Sequence, residues 1–198
     1  ERIYQLSIQY NVLIYVDEIF GEMQYRSNSS YGHVTTQNTI ISTSLGKTFN
    51  FTGVNHANLI IRDEKLRKQY LRQRKIDHFG SLDPFFYNAL IVAYSKEGKE
   101  WVDEVKEYIY GLYEYIVENL KDTKIMISPL EGGFILWLDF SQYGYTAKEL
   151  EEIINKKVRL VGDPGEEYGK DYEQCIRINL GTSRENIKTL VSNLKKYF

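Results

Sequence analysis

The sequence has 198 residues, of which 42% are hydrophobic and 26% are charged, and this composition predicts a globular chain of one large or two small domains. A formal net charge of −2 from interspersed charges of both signs argues against nucleic acid as a partner, and no apolar stretch approaches the roughly 20 residues that cross a membrane. A single cysteine, Cys175, excludes an internal disulfide framework, and three scattered histidines predict no metal site, so we expect a protein of the reducing cytoplasm.

The first half of the chain alternates predicted strands and helices. An opening helix leads into apolar runs that predict strands over 12–17, 39–42 and 57–61. The polar segment 42–53, which contains two glycines, predicts a loop. Helices are expected after a capping residue at Asp63, after Asp83 with proline in the first turn, and over 99–120. Gly98, which interrupts the apolar pattern, is the predicted domain boundary.

The second half predicts a compact α+β layer. Strands are expected over 124–128, 134–140, 158–161 and 174–180, with helices from 146 and from 183. Thr146 and Glu149 have the spacing of a capping box. The run Leu136-Trp137-Leu138 does not alternate with polar residues, so this strand is expected to be covered on both faces.

One lysine in the predicted loop suggests chemistry. Lys47 follows the second strand, and Asp17 ends the first, at the carboxyl edge where open α/β sheets bind ligands. Pyridoxal phosphate needs both groups, a lysine amine for a Schiff base and an acid for its pyridine nitrogen. From the residues alone, a solvated surface lysine remains the commoner alternative.

Four segments, in order, resemble the class I/II aminotransferases, which are fold-type I pyridoxal-phosphate enzymes. These segments are 16–19 (VDEI), 42–50 (STSLGKTFN, with a glycine at 53), 131–139 (EGGFILWLD) and 176–180 (IRINL). The first two look most similar to the cystathionine β-lyase or cysteine-conjugate C–S lyase branch. The resemblance covers essentially the whole chain but corresponds to the C-terminal half of such an enzyme. It therefore implies a polypeptide about twice as long.

The resemblance also implies roles for four residues. Lys47 would form the Schiff base with the cofactor and later move the substrate α-proton. Asp17 would face the pyridine nitrogen, and Ser44 would donate a hydrogen bond to the cofactor phosphate. Arg177 would bind the substrate α-carboxylate with its forked guanidinium, unless it forms a structural ion pair.

Two positions depart from the family pattern. Phe20 stands where relatives carry a tyrosine or histidine that can donate to the cofactor's phenolic oxygen, and a phenyl ring has no such donor. Asn55 stands where many relatives carry a phosphate-binding arginine, so this position can offer only an uncharged hydrogen bond. The neighbouring His56 is expected to be a packing or surface residue.

The implied fold is therefore α/β: part of the large pyridoxal-phosphate domain over 1–98, and a small α+β domain over 99–198. The implied function is β-elimination at a C–S bond of an amino acid, with class I/II transamination to a 2-oxo acid as the alternative. A further alternative is the aminotransferase-like effector domain of a transcription regulator. The family also implies a homodimer, while the composition and charge favour a cytoplasmic protein without membrane or nucleic-acid partners.

Overall fold

The computed structural model describes residues 1–26, 29–34, 37–53, 56–80 and 84–198. These residues form two compact units, Glu1–Asp103 and Glu104–Phe198, and the division lies within the longest helix. The assignment of residues 1–98 to a large cofactor domain and 99–198 to a small domain stays a prediction. Among the described residues, no helix is both long enough and apolar enough to span a bilayer.

The first unit contains a three-stranded sheet in the order β1-β2-β3, with β1 at one edge. Strands β1 and β2 run parallel, and β3 is antiparallel to β2. The predicted strands are confirmed, with bounds that differ from those predicted by one or two residues. The elements in chain order are α1 (Arg2–Tyr10), β1 (Ile14–Asp17), β2 (Thr39–Thr43), α2 (Leu45–Thr48), β3 (Asn58–Ile60), α3 (Glu64–Ile76), α4 (Pro84–Ala93) and α5 (Lys96–Leu120).

Two helix boundaries in this unit differ from the predictions. The segment predicted to be a loop contains the short helix α2, because Ser44 caps its first turn. Helix α5 begins at Lys96, so Gly98 lies inside the helix rather than before it. A β-carbon at Gly98 would lie 2.1 Å from the Ala93 carbonyl oxygen, so only glycine allows α5 to start this close to the end of α4. Asp63 caps α3 as predicted, while Asp83 lies outside the described residues.

The second unit packs helices on a four-stranded antiparallel sheet in the order β4-β5-β7-β6. Its elements are β4 (Met126–Ile127), β5 (Ile135–Asp139), α6 (Ala147–Glu152), a π-helical turn (Ile153–Val158), β6 (Asp163–Pro164), β7 (Cys175–Asn179) and α7 (Arg184–Tyr197). Short 3-10 turns cover Tyr31–His33 in the first unit and Ser141–Tyr143, Gly165–Tyr168 and Lys170–Tyr172 in the second. The core of the second unit contains Leu112 and Ile116 of α5, Leu136 and Leu138 of β5, and Leu190 and Leu194 of α7.

The predictions for this unit are mixed. The capping box of Thr146 and Glu149 is present. The strand predicted over 158–161 is wrong, because the helix continues to Val158 and Arg159 then adopts a left-handed conformation with φ of 59°. The expectation that β5 is covered on both faces is met on one face and only in part on the other, where Tyr168 and Tyr172 pack against Trp137. Leu136 and Leu138 are buried, but Trp137 is only half-buried on the other face.

The overall α/β prediction, with an α+β second half, is confirmed. In the first unit, the parallel pair β1 and β2 places the ends of two strands at one edge of the sheet, which is where the lysine-bearing turn begins. In the second unit, the antiparallel register places β7 residues directly opposite residues of β5 and β6. These two arrangements position the predicted site residues.

Candidate active site

Asp17 lies at the carboxyl end of β1, level with Ser42 on the parallel neighbour β2. The Asp17 carboxylate is exposed, and its Oδ1 atom accepts hydrogen bonds from the Ile19 amide at 3.1 Å and from Ser42 Oγ at 3.4 Å. The Ser42 carbonyl also accepts from the Glu18 amide at 2.8 Å. The aspartate is therefore oriented by the sheet edge while its carboxylate faces solvent.

Ser44 joins β2 to the turn that bears the lysine. Its hydroxyl oxygen accepts from the Gly46 amide at 3.1 Å, and the hydroxyl donates to the His56 carbonyl oxygen at 2.9 Å. Because a serine hydroxyl has only one hydrogen, this hydroxyl makes no other donation in this conformation. Ser44 thus has a structural capping role here, and the role toward a phosphate stays a prediction.

Lys47 is half-buried in α2, between residues that are mostly buried. Leu45 is fully buried and packs with Phe86 and Ala93 of α4, which fixes the turn against the unit's core. Within the described part of the chain, the Lys47 amine has no hydrogen-bond or ion-pair partner. A half-buried amine without a partner is available to a ligand.

Glu22, which the sequence did not indicate as a site residue, binds Thr48, the residue after Lys47. Thr48 is buried and its Oγ1 donates to Glu22 Oε2 at 3.3 Å, while the Tyr94 hydroxyl donates to Glu22 Oε1 at 3.4 Å. Burial raises the pKa of Tyr94, and the neighbouring Glu22 charge raises it further. Phe49 completes the arrangement, since its ring stacks on Trp101 at 5.9 Å. No local pattern predicts the contact between Glu22 and Thr48, which are 26 residues apart.

A second set of polar contacts connects Ser44 to His56 and Asn58. His56 Nε2 lies 3.0 Å from Asn58 Oδ1, and Asn58 Nδ2 donates to Thr43 Oγ1 at 3.3 Å. The His56 ring packs on Phe86 at 4.7 Å, and its Nδ1 atom is buried and has no hydrogen-bond partner among the residues that the structure describes. His56 is therefore a packing residue, as expected. The neighbouring Asn55, a predicted departure from the family, lies outside the described residues.

In the second unit, Arg177 occupies the middle of β7, opposite Trp137 of β5 and Asp163 of β6. Its Nη1 atom donates to Asp163 Oδ2 and, at 3.0 Å, to the Tyr168 hydroxyl. The guanidinium carbon lies 5.7 Å from the centre of the Tyr168 ring, which packs edge-on against Trp137. Arg177 therefore forms the structural ion pair that the sequence allowed as an alternative. Its partner is Asp163, and only the Nη1 atom takes part.

The structure thus brings Asp17 next to the strand that leads to Ser44 and Lys47, and it surrounds Arg177 with Asp163, Tyr168 and Trp137. Phe20, three residues after Asp17, is half-buried. Among the described residues, no group of three or more His, Cys, Asp or Glu side chains is arranged to hold a metal ion. The chemistry available is that of an amine, an exposed carboxylate and a guanidinium.

Comparison with known proteins gives the family of the chain. The family profile described as aminotransferase class I and II matches residues 1–194. The chain is 28% identical over 211 aligned positions to the cystathionine beta-lyase PatB of Bacillus subtilis, covering 97% of this chain and 50% of that protein. It is 25% identical to an aspartate aminotransferase of Pyrococcus horikoshii, covering 99% of this chain and 51% of that protein.

Solved structures give the same fold. Cystalysin from Treponema denticola, whose crystal structure contains a pyridoxal 5'-phosphate cofactor, superposes with a TM-score of 0.88 at 22% identity, over 99% of this chain and 51% of cystalysin. The chain spans about half the length of the curated relatives it matches. The fold is that of the fold-type I enzymes, as the resemblance implied. The chain belongs to the aminotransferase class I and II family.

Proposed function

We propose that this chain is the part of a pyridoxal-phosphate enzyme that carries the cofactor-binding lysine, and that the enzyme eliminates a sulfur group from the β-carbon of an amino acid. The observation that carries this proposal is the Lys47 amine, half-buried in a turn that packs on the unit's core and without a partner among the described residues. The similarity to PatB, a cystathionine beta-lyase, favours elimination as the reaction.

The residues present fit the cofactor in two respects. A free amine at Lys47 suits the cofactor aldehyde, and the exposed, oriented Asp17 carboxylate suits its pyridine nitrogen. Ser44 fits less directly, because its hydroxyl hydrogen is used by the His56 carbonyl. Its hydroxyl would have to rotate away from this carbonyl to donate to a phosphate. We therefore assign Ser44 mainly to the shape of the turn, with the phosphate contact as a secondary role.

The chain's own residues account for the proton and binding steps. When bound, pyridoxal phosphate withdraws the electron pair that remains on the substrate α-carbon. Lys47 Nζ removes the α-proton, Asp17 keeps the pyridine nitrogen protonated, and Arg177 binds the substrate carboxylate. The bond between the β-carbon and sulfur then breaks, and the sulfur leaves as a thiolate that takes up a proton. Hydrolysis of the remaining fragment gives pyruvate and ammonia.

A second function uses the same residues. The 25% identity to an aspartate aminotransferase supports transamination. In that reaction Lys47 and Asp17 would hold the cofactor, Lys47 Nζ would deliver the proton that it took from the α-carbon, and the cofactor would supply the acceptor for the amino group, so that the substrate would leave as a 2-oxo acid. The relatives named above are enzymes, which does not favour a transcription-regulator role. For the full-length protein, we propose a homodimer in the cytoplasm, on the strength of the family resemblance and of a lone, buried cysteine.

One experiment tests the lysine without relying on turnover. The full-length protein is incubated with pyridoxal phosphate, treated with borohydride and digested, and the peptides are examined by mass spectrometry. We expect the cofactor mass on the peptide that contains Lys47 and none in a Lys47→Ala protein. Modification of Lys65 or another surface lysine instead of Lys47 would overturn the assignment.

A second experiment separates the two reactions. The loaded full-length protein is given cystathionine, and pyruvate is measured. It is then given an amino acid with 2-oxoglutarate as amino-group acceptor, and the keto-acid products are measured. Pyruvate from cystathionine supports elimination. Keto-acid formation without pyruvate from cystathionine would replace elimination by transamination.

A further inference from the structure

The surroundings of Arg177 carry an excess of negative charge. On the sheet face that bears Arg177, the register places Asp163 of β6 directly opposite it. Asp139 lies on the same face of β5, two residues after Trp137. The segment 163–173, which supplies both Asp163 and Tyr168, contains five acidic residues and one lysine, namely Asp163, Glu166, Glu167, Asp171, Glu173 and Lys170. Among the described residues of this sheet face, the Arg177 guanidinium is therefore outnumbered by the carboxylates of Asp163 and Asp139.

Among the described residues, Arg177 has partners on one side of its guanidinium only. Both hydrogen bonds to its partners leave from Nη1, toward Asp163 Oδ2 and the Tyr168 hydroxyl. A guanidinium has five N–H donors, so Nη2 and Nε retain donors that a second carboxylate can accept in the two-pronged geometry. The Arg177 side chain is 31% exposed, which leaves this side accessible.

We propose that Asp163 is a specificity-determining residue. Beside Asp163, Arg177 selects amino acids in which the α-carboxylate is the only carboxylate that is not balanced by a side-chain amine. The substrate class is amino acids whose side chain is neutral overall or positively charged, and acidic amino acids are disfavoured. This inference rests on the proposed function, because it takes Arg177 as the residue that binds the substrate carboxylate.

The physical reason is the charge balance. A substrate with one carboxylate replaces water at Nη2 and Nε and leaves the Arg177–Asp163 pair intact. A second carboxylate, in the substrate side chain, meets no further cation among the described strand residues of this sheet, and Asp163 and Asp139 repel it. The repulsion from Asp163 is the strongest, because Asp163 lies directly opposite Arg177 and is therefore nearest to a substrate bound there.

The test measures binding of simple carboxylates by fluorescence. The 198-residue chain has two tryptophans, so Trp101→Phe in this chain leaves Trp137, which packs against Tyr168, as the reporter. Propionate and succinate are the probes, because succinate adds one carboxylate to a similar short chain. We expect Asp163→Asn to lower the ratio of the succinate Kd to the propionate Kd about tenfold, the effect of one unit charge at roughly 6 Å and an effective dielectric constant of about 40.

Two controls make the result specific. Asp171→Asn removes an exposed charge from the same segment that does not contact Arg177, and the ratio is expected to change by less than about twofold. Arg177→Lys removes the forked donor and should weaken binding of both probes. In the protein with Asp163 intact, raising the salt concentration toward 1 M should also narrow the ratio, because the Debye length falls to about 3 Å.

The outcomes are distinguishable from those of the proposed function. Binding of both probes with a ratio that neither Asp163→Asn nor salt changes would overturn the inference and leave the role of Arg177 standing. Absence of binding of both probes, or binding that Arg177→Lys leaves unchanged, would overturn the carboxylate role of Arg177 and the inference with it. The borohydride result at Lys47 is independent of both.

Discussion

Thr48, the residue that follows Lys47, is held by Glu22 through a hydrogen bond of 3.3 Å. Helix α2 is only four residues long, so its position depends on such side-chain contacts more than on its own backbone hydrogen bonds. Glu22 also accepts from Tyr94, whose ring packs edge-on against Phe49 at 6.0 Å. The lysine is thus placed by contacts on the residues next to it.

Replacing Thr48 by valine, which has the same shape, tests this contact. We expect a loss of about 1.5 kcal/mol in the free energy of unfolding, because a hydrogen bond to a charged group is removed from a buried site. Urea denaturation followed by circular dichroism measures the change. Thr52→Val, at an exposed position of the same segment, should stay within about 0.5 kcal/mol. Equal effects of the two substitutions would show that Glu22 does not hold α2.

Two glycines in α5 should respond to alanine with opposite signs. At Gly98 a β-carbon would lie 2.1 Å from the Ala93 carbonyl oxygen, so Gly98→Ala should destabilise the protein by about 2 kcal/mol. At Gly111 the nearest atom, Nη2 of Arg184, is 3.7 Å away, so Gly111→Ala should stabilise by roughly 0.5–1 kcal/mol through helix propensity. Thermal and urea unfolding of the two variants check this, and the same sign for both would contradict it.

Removing a hydroxyl should strengthen the first unit. The Tyr31 hydroxyl oxygen is buried and has no hydrogen-bond partner in the described part of the chain, which costs free energy that phenylalanine avoids. We expect Tyr31→Phe to raise the free energy of unfolding by about 1 kcal/mol in urea. Tyr15→Phe, at a position that is 60% exposed, is the matched control and should have little effect. A destabilised Tyr31→Phe protein would show that this hydroxyl has a partner in solution.

Acid should weaken the start of α3. The Asp63 carboxylate accepts from the Leu66 amide at 3.0 Å, and this hydrogen bond holds the pKa of Asp63 below its ordinary value. A lowered pKa in the folded protein means that the stabilisation is present above the unfolded pKa and is lost as pH falls through the folded pKa. NMR titration of the Asp63 carboxyl carbon should show the low pKa. The start of α3 should lose amide-exchange protection over the same pH range.

Asp63→Asn is the control for this titration, since asparagine can also cap a helix but does not titrate. The variant's α3 amides should stay protected through the acid range in which the unsubstituted protein loses protection. If both proteins lose protection at the same pH, the Asp63 carboxylate is not responsible for the acid sensitivity of α3.

Local signals were sufficient for much of the fold. The Asp63 cap and the capping box of Thr146 and Glu149 were correct because each depends on residues three apart. The strand predicted over 158–161 failed because apolar residues continue past a helix that ends in a left-handed Arg159, and periodicity does not reveal that backbone conformation.

The candidate site shows the same limit. Motifs indicated Lys47, Asp17 and Arg177, since each lies in a segment with a recognisable order. The residues that contact or surround them did not follow from the sequence. Glu22 meets Thr48 from 26 residues away, and Asp163 meets Arg177 across two strands. Such pairs are set by register and tertiary packing, which no short window of sequence contains.

The position of β1 at the edge of its sheet has a consequence for handling the protein. One side of this strand pairs with β2, while no described strand pairs with the other side, and the nearby side chains of Leu13 and Tyr15 are exposed. An open backbone edge beside apolar side chains is a template on which another extended chain can assemble. This 198-residue chain, when prepared alone, should therefore associate with itself as its concentration rises, through strand addition at β1.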